Sequence, residues 1–131
     1  MKWVNRLLSH SVSQATTFVQ RAGVEALTGP QDEVAAMVKE FRVRRDLLVS
    51  GLRDLGIPCS TPGGAFYVFP DVSEYGGGDA FTDKLLKDAL IAATPGSAFG
   101  PGGANNVRLS YATSQARINL ALERIGKMIG K

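Results

Sequence analysis

The sequence predicts an α/β fold of the α+β type: a two-layer sandwich in which a small, mostly antiparallel sheet is covered by helices, with a helical segment at the N-terminal end. Three observations carry this. Several long stretches space their apolar residues three and four apart, the period of a helix with one buried face. Two short stretches are instead rich in β-branched and aromatic residues. Between them, Gly and Pro cut the chain at Thr28-Gly29-Pro30, Gly56-Ile57-Pro58, Pro62-Gly63-Gly64, Gly76-Gly77-Gly78 and from Pro95 to Gly103. Elements of these lengths hide their apolar faces by stacking in layers.

From Ser13 to Leu27, Ala15, Phe18, Val19, Ala22 and Ala26 keep helical spacing, and Gly29-Pro30 supplies a stop. The longest helix is expected from Gln31 to Leu55. There Val34, Met37, Val38, Phe41, Leu48, Leu52 and Leu55 share the period, and Asp32 and Glu33 suit the positive end of the helix dipole. Arg42, Arg44 and Arg45 interrupt that stripe and read as a solvated face paired with Glu40 and Asp46. Ala65 to Pro70 reads as a buried strand, preceded by a turn and closed by Pro. A helix is expected from Asp79 to Ala92, with Phe81, Leu85, Leu86, Ala89 and Leu90 as its stripe, and then an irregular loop from Thr94 to Gly100. Asn106 to Ala112 alternates, with Val107, Leu109 and Tyr111 on one face and Arg108 and Ser110 on the other. A last helix from Ser114 to Ile129 turns Ile118, Leu122, Ile125 and Met128 or Ile129 inward.

At 131 residues and 44% hydrophobic, the chain suits one compact domain with a real core. A net charge of +3 is too small an excess to argue for nucleic acid without a clustered basic face. One Cys, Cys59, and one His, His10, leave no internal disulfide and no ligand supply for a Cys/His zinc site. No apolar run approaches the roughly 20 residues that span a bilayer, and the first residues are too short an apolar stretch for a secretory signal. The expectation is a cytoplasmic protein with no membrane, nucleic-acid or metal partner.

Most catalytic combinations are missing. A Ser/His/Asp arrangement would rest wholly on His10, which reads as a polar residue flanking a helix. Asp71 and Glu74 lie beside a Pro and a triple Gly, where carboxylates serve as turn and cap residues. Gly96 to Gly100 lacks the Lys-Ser/Thr ending of a phosphate loop and does not lead directly into a helix. Arg108 stands apart. A guanidinium inside a short apolar strand needs a partner to offset its desolvation, and its neighbours on that face, Asn106 and Ser110, are small and polar. It is either a fork for a ligand carboxylate or one half of a structural ion pair with an Asp or Glu elsewhere in the chain.

Taken together and in order, five stretches resemble the C-terminal part, or small domain, of a class I/II, fold type I pyridoxal-phosphate-dependent aminotransferase of the aspartate aminotransferase family. They are Ser9-His10-Ser11 ahead of a small-residue helix, Arg44 to Leu48, Pro62 to Val68, Pro95 to Gly100, and Val107 to Ala112. The resemblance covers nearly the whole chain. It implies amino-group transfer between an amino acid and a 2-oxo acid, with pyridoxal 5'-phosphate in the full-length enzyme. It makes Arg108 the arginine that binds the substrate's α-carboxylate. Gly64 and Phe66 match a turn and strand beside the active-site mouth, Gly64 allowing close backbone approach, and Ser97 matches a loop leading toward the cleft. Ser9 and Ser11 match a stretch near the dimer partner. His10 stands where family members often carry Asn, so the resemblance gives it no contact.

The resemblance further divides the chain into a helical segment, residues 1–30, adjoining a large domain, and a small α/β domain, residues 31–131. Nothing before Ser9 matches the family's Ser-Lys motif with its following Gly-x-Arg, and Lys2 is no stand-in for the Schiff-base lysine. The residues that hold the pyridine nitrogen, the cofactor oxygen and the phosphate would also lie in the large domain. The chain alone is therefore expected to bind no cofactor and to be inactive, with no catalytic residue of its own. Its expected partners are the substrate carboxylate, the large domain and a second copy in a homodimer. Two other readings are a stand-alone module that binds small carboxylates, and an association domain built on Trp3, Val4, Leu7 and Leu8.

Overall fold

The computed structural model describes residues 1–11 and 14–131, and the chain divides into two compact units, Met1–Ala35 and Ala36–Lys131. In the first unit, α1 (Lys2–Ser11) and α2 (Thr17–Thr28) contain no buried residue. Trp3, Val4, Leu7 and Leu8 follow one side of α1 and are exposed. The expected helix start at Ser13 lies outside the described residues. At the other end of α2 the Gly29 N–H closes on the Glu25 carbonyl at 2.8 Å.

Helix α3 (Asp32–Asp54) has nearly the expected span. Its second half buries Leu48, Val49 and Leu52, whereas Val34, Met37 and Val38 are exposed. The helix ends in a Schellman turn: Gly56, at φ 77°, lets its N–H reach the Arg53 carbonyl and the Ile57 N–H reach that of Leu52. The last helix, α5 (Gln115–Ile129), closes the same way at Gly130, and Ser114 caps its start by accepting from the Arg117 N–H.

Three strands form the sheet in the order β1-β3-β2: β1 (Tyr67–Val68), β2 (Thr94–Pro95) and β3 (Val107–Ser110), both pairings antiparallel. The register sets Tyr67 opposite Ser110, Val68 opposite Leu109, Thr94 opposite Arg108 and Pro95 opposite Val107. Strands β1 and β3 are shorter than the stretches expected to form them. The flanking backbone nevertheless runs alongside, with Tyr111 N–H donating to Phe66 O at 3.0 Å and Val107 N–H to Pro70 O at 3.3 Å.

Two expectations need correction. The stretch from Thr94 to Gly100 is not irregular throughout, because its first two residues are β2 before a short 3-10 turn, Gly96–Phe99. Two residues are too few to show a period, and Pro95 fits only because β2 is an edge strand needing no further donor. Helix α4 (Gly77–Lys87) stops well before Ala92. Leu90 adopts φ 56°, the Ile91 N–H turns back to the Leu85 carbonyl at 2.8 Å, and Leu86 and Leu90 face solvent. That turn brings Ile91 and Ala93 against the core on the way to β2.

One core holds the second unit together. Val68, Val107 and Leu109 from one face of the sheet meet Leu48 and Leu52 of α3, Phe81 and Leu85 of α4, and Ile118 and Ile125 of α5. That face is the helix-covered layer. The other carries Tyr67, Thr94, Arg108 and Ser110.

Candidate functional site

Arg108 sits in the middle strand with its side chain on the face away from the core, because alternation commits Val107 and Leu109 inward. It is half-buried. Its Nη2 donates to Thr94 Oγ1 at 3.1 Å, and Thr94 is its direct cross-strand partner. Its Cζ lies 4.3 Å from the centroid of the Tyr67 ring and 4.9 Å from that of Phe99. Tyr67 comes from β1 and Phe99 from the turn after β2, so both edges of the sheet contribute a ring. Such contacts are worth about 0.5–2 kcal/mol each, the more so where water is kept off.

Among the described residues the ion pairs within 4.0 Å are Glu40–Arg44, Asp46–Arg45, Asp83–Lys87 and Glu123–Lys127, and none involves Arg108. The alternative of an internal acid partner, open from sequence, is not realised among them. Among the described residues the guanidinium is held by a neutral hydroxyl and two rings, with no carboxylate within 4.0 Å. What such an arrangement can do is accept an anion: two parallel N–H donors match a carboxylate's two oxygens.

Gly64 and Phe66 belong to a different feature, a groove of about 340 Å³ between α3 and the turn before β1. Met37, Val38, Phe41, Arg42 and Arg45 form one wall, and Pro62 to Phe66 with Tyr111 form the other. The turn is fastened at several points. Arg45 Nη1 donates to Pro62 O at 3.2 Å, and Tyr111 Oη donates to Ala65 O at 2.8 Å. Burial pushes the Tyr111 phenol up, which keeps that donor protonated. Ala65 stands at φ 58°, a strained conformation for any residue but glycine. At Gly64 a Cβ would meet no atom of the chain within 4 Å, so no close approach inside this chain calls for glycine there.

Phe66 links the groove to Arg108. Its ring lies 6.4 Å from that of Phe41 and 4.4 Å from that of Tyr67, which in turn covers the guanidinium. Ser97 is engaged elsewhere, donating from Oγ to Asp79 Oδ1 at 2.7 Å and so tying the turn after β2 to the first turn of α4. The structure thus brings Arg108 and Phe66 together through Tyr67, and sets Ser97 on a hydrogen bond of its own.

The remaining charged candidates take ordinary roles. Arg44 Nε meets Glu40 at 2.7 Å and Arg45 meets Asp46 at 2.8 Å, the pairs expected of the helix face. Hydrogen bonds from Arg44 and Gln115 hold the Glu40 carboxyl below its usual range. Asp71 Oδ1 accepts from the Ser73 N–H at 2.8 Å, a turn role that likewise lowers its pKa. Sequence reasoning missed Tyr67, Thr94 and Phe99 around Arg108. The alternating pattern shows which way Arg108 points but not which strands flank it.

A family model described as "Aminotransferase class I and II" matches residues 1–125. A probable aspartate aminotransferase of Methanocaldococcus jannaschii is 46% identical over 117 residues, which is 89% of this chain and 31% of that protein. An aspartate aminotransferase of Pyrococcus horikoshii is 38% identical, covering 98% of this chain and 34% of its own length. Among solved structures, an aromatic aminotransferase from Pyrococcus horikoshii OT3 superposes with a TM-score of 0.91 at 35% identity, over 95% of this chain and 34% of that one. The aspartate aminotransferase from Rhizobium meliloti does so with a TM-score of 0.87 at 38% identity, over 95% of this chain and 34% of that one. The chain spans about a third of the length of these relatives.

Proposed function

This chain belongs to the class I and II aminotransferases, and on that premise we propose that it is the C-terminal part of a pyridoxal-phosphate-dependent enzyme that moves an amino group between an amino acid and a 2-oxo acid. Arg108 holds the α-carboxylate of either substrate. The observation that carries this is the half-buried guanidinium on the open sheet face, braced by Thr94, Tyr67 and Phe99 and without an acid of the described residues against it. The two rings reduce the water around the charge and so strengthen a bond to an incoming carboxylate. A planar fork also fixes the carboxylate's plane, which orients the Cα where the chemistry occurs. Phe66, beside Tyr67, forms the wall next to that position, Gly64 lines the adjoining groove that Phe66 shares, and Ser97 steadies the loop that carries Phe99.

Pyridoxal phosphate supplies the electron sink when bound, and this chain's residues do not fit it. The cofactor's lysine needs a desolvated pocket, whereas Lys2, Lys39, Lys84, Lys87, Lys127 and Lys131 are all exposed. Lys87 and Lys127 are paired with acids, and Lys131 donates to the Leu55 carbonyl. In this reading the cofactor belongs to the rest of the enzyme, and the isolated chain is inactive. The proposal includes residues 1–30 as the segment adjoining that large domain, a homodimeric enzyme and a cytoplasmic location.

In the complete enzyme, Arg108→Ala is expected to raise KM for both the amino donor and the 2-oxo acid by on the order of a hundredfold, the loss of a charge-assisted pair. An unchanged KM would remove Arg108 from the substrate site. Calorimetric titration of the chain alone with 2-oxoglutarate separates the other reading, since saturable, Arg108-dependent binding would favour a stand-alone carboxylate module.

A further inference from the structure

Resting on the reading of Arg108 as the carboxylate holder, we propose that Thr94 is a positioning residue for substrate binding: its hydroxyl takes one Nη2 hydrogen of Arg108 and so leaves a single fork edge facing the ligand. A guanidinium has two edges that can grip a carboxylate, Nε–H with Nη2–H and Nη1–H with Nη2–H. Each uses one of the two Nη2 hydrogens. The bond from Nη2 to Thr94 Oγ1 at 3.1 Å occupies one of them and blunts that edge. Among the described residues Nε and Nη1 have no hydrogen-bond partner, so the other edge is intact.

The hydroxyl is placed by backbone features rather than by chance contact. Thr94 is the register partner of Arg108 across the antiparallel pair, so the two side chains emerge side by side on one face. Pro95 holds the preceding residue to extended backbone, and a β-branched side chain has little rotamer freedom. The rings of Tyr67 and Phe99 lie close to the guanidinium without fixing which way its N–H groups point, and among the described residues its directional partner is the Thr94 hydroxyl. Removing the hydroxyl should leave the charge in place and lose its direction.

The test is kinetic, in the complete enzyme, with Thr94→Val, Thr94→Ser and Arg108→Ala. Thr94→Val keeps the shape and drops the acceptor. It is expected to raise KM for amino donor and 2-oxo acid alike by about tenfold, one hydrogen bond's worth. The turnover number should stay within about threefold, and Thr94→Ser should restore KM. If Arg108→Ala raises KM and Thr94→Val does not, the proposal is overturned while the role of Arg108 stands. Equal losses in the Val and Ser variants would likewise overturn it, because a bare structural role ignores which group carries the hydroxyl. If Arg108→Ala leaves KM unchanged, the reading beneath the proposal fails and Thr94 falls with it.

Discussion

At the residue scale, the turn before β1 shows how a single hydroxyl can hold a strained backbone. Ala65 adopts φ 58°, and the Tyr111 phenol bonds its carbonyl from beneath the groove. Tyr111→Phe keeps the buried ring and loses only that bond, so urea unfolding should show a loss of about 1 kcal/mol. Ala65→Gly relieves the strain and should stabilise the fold by up to about 1 kcal/mol in the same assay. Cys59 offers a chemical check on the core. Burial is the first cause that pushes its thiol up, outweighing the nearby Arg53, so the thiolate population is depressed at neutral and mildly alkaline pH. Iodoacetamide should therefore label the native chain slowly and the urea-unfolded chain fast, with the native rate rising only at higher pH than for an ordinary cysteine. Equal rates near pH 8.5 would show the thiol to be accessible.

At the element scale, α3 carries one periodic stripe with two different fates. Leu52 is 1% exposed and packs in the core, whereas Val38 is 53% exposed beside the groove. Leu52→Ala should cost about 2–5 kcal/mol in denaturant unfolding, and Val38→Ala within about 0.5 kcal/mol in this chain. Comparable losses at both positions would contradict the burial seen here. Periodicity identified the helix and nearly its ends, with Asp32 at the start and Gly56 at the stop, but could not tell a face packed on the core from one left open. The same limit explains α4. Leu86 and Leu90 continue the apolar spacing, yet the helix ends at Lys87 because the chain must turn at Leu90 to reach β2, and no Gly or Pro marks that turn. The edge strand β2 was illegible for a different reason, being two residues whose pairing exists only once β3 is beside them.

At the scale of the whole molecule, the chain is a third of the length of its relatives, and its N-terminal helices bury nothing of their own. Under the proposal above, mixing the purified chain with pyridoxal phosphate should yield no saturable, borohydride-trapped lysine adduct. One lysine labelled at a stoichiometry near unity would sink that expectation. Chain order alone determined much: the helical stripes, the inward set Val107, Leu109 and Tyr111, the outward Arg108, and the family to which their order belongs. These are properties of local spacing, since a period of two or near four residues fixes a side chain's direction before any partner arrives. Only the tertiary structure decided what stands around Arg108. Thr94, Tyr67 and Phe99 come from segments up to 41 residues away, and it is the register of three strands, with the turn after β2, that braces an outward-pointing arginine to which no acid among the described residues is paired.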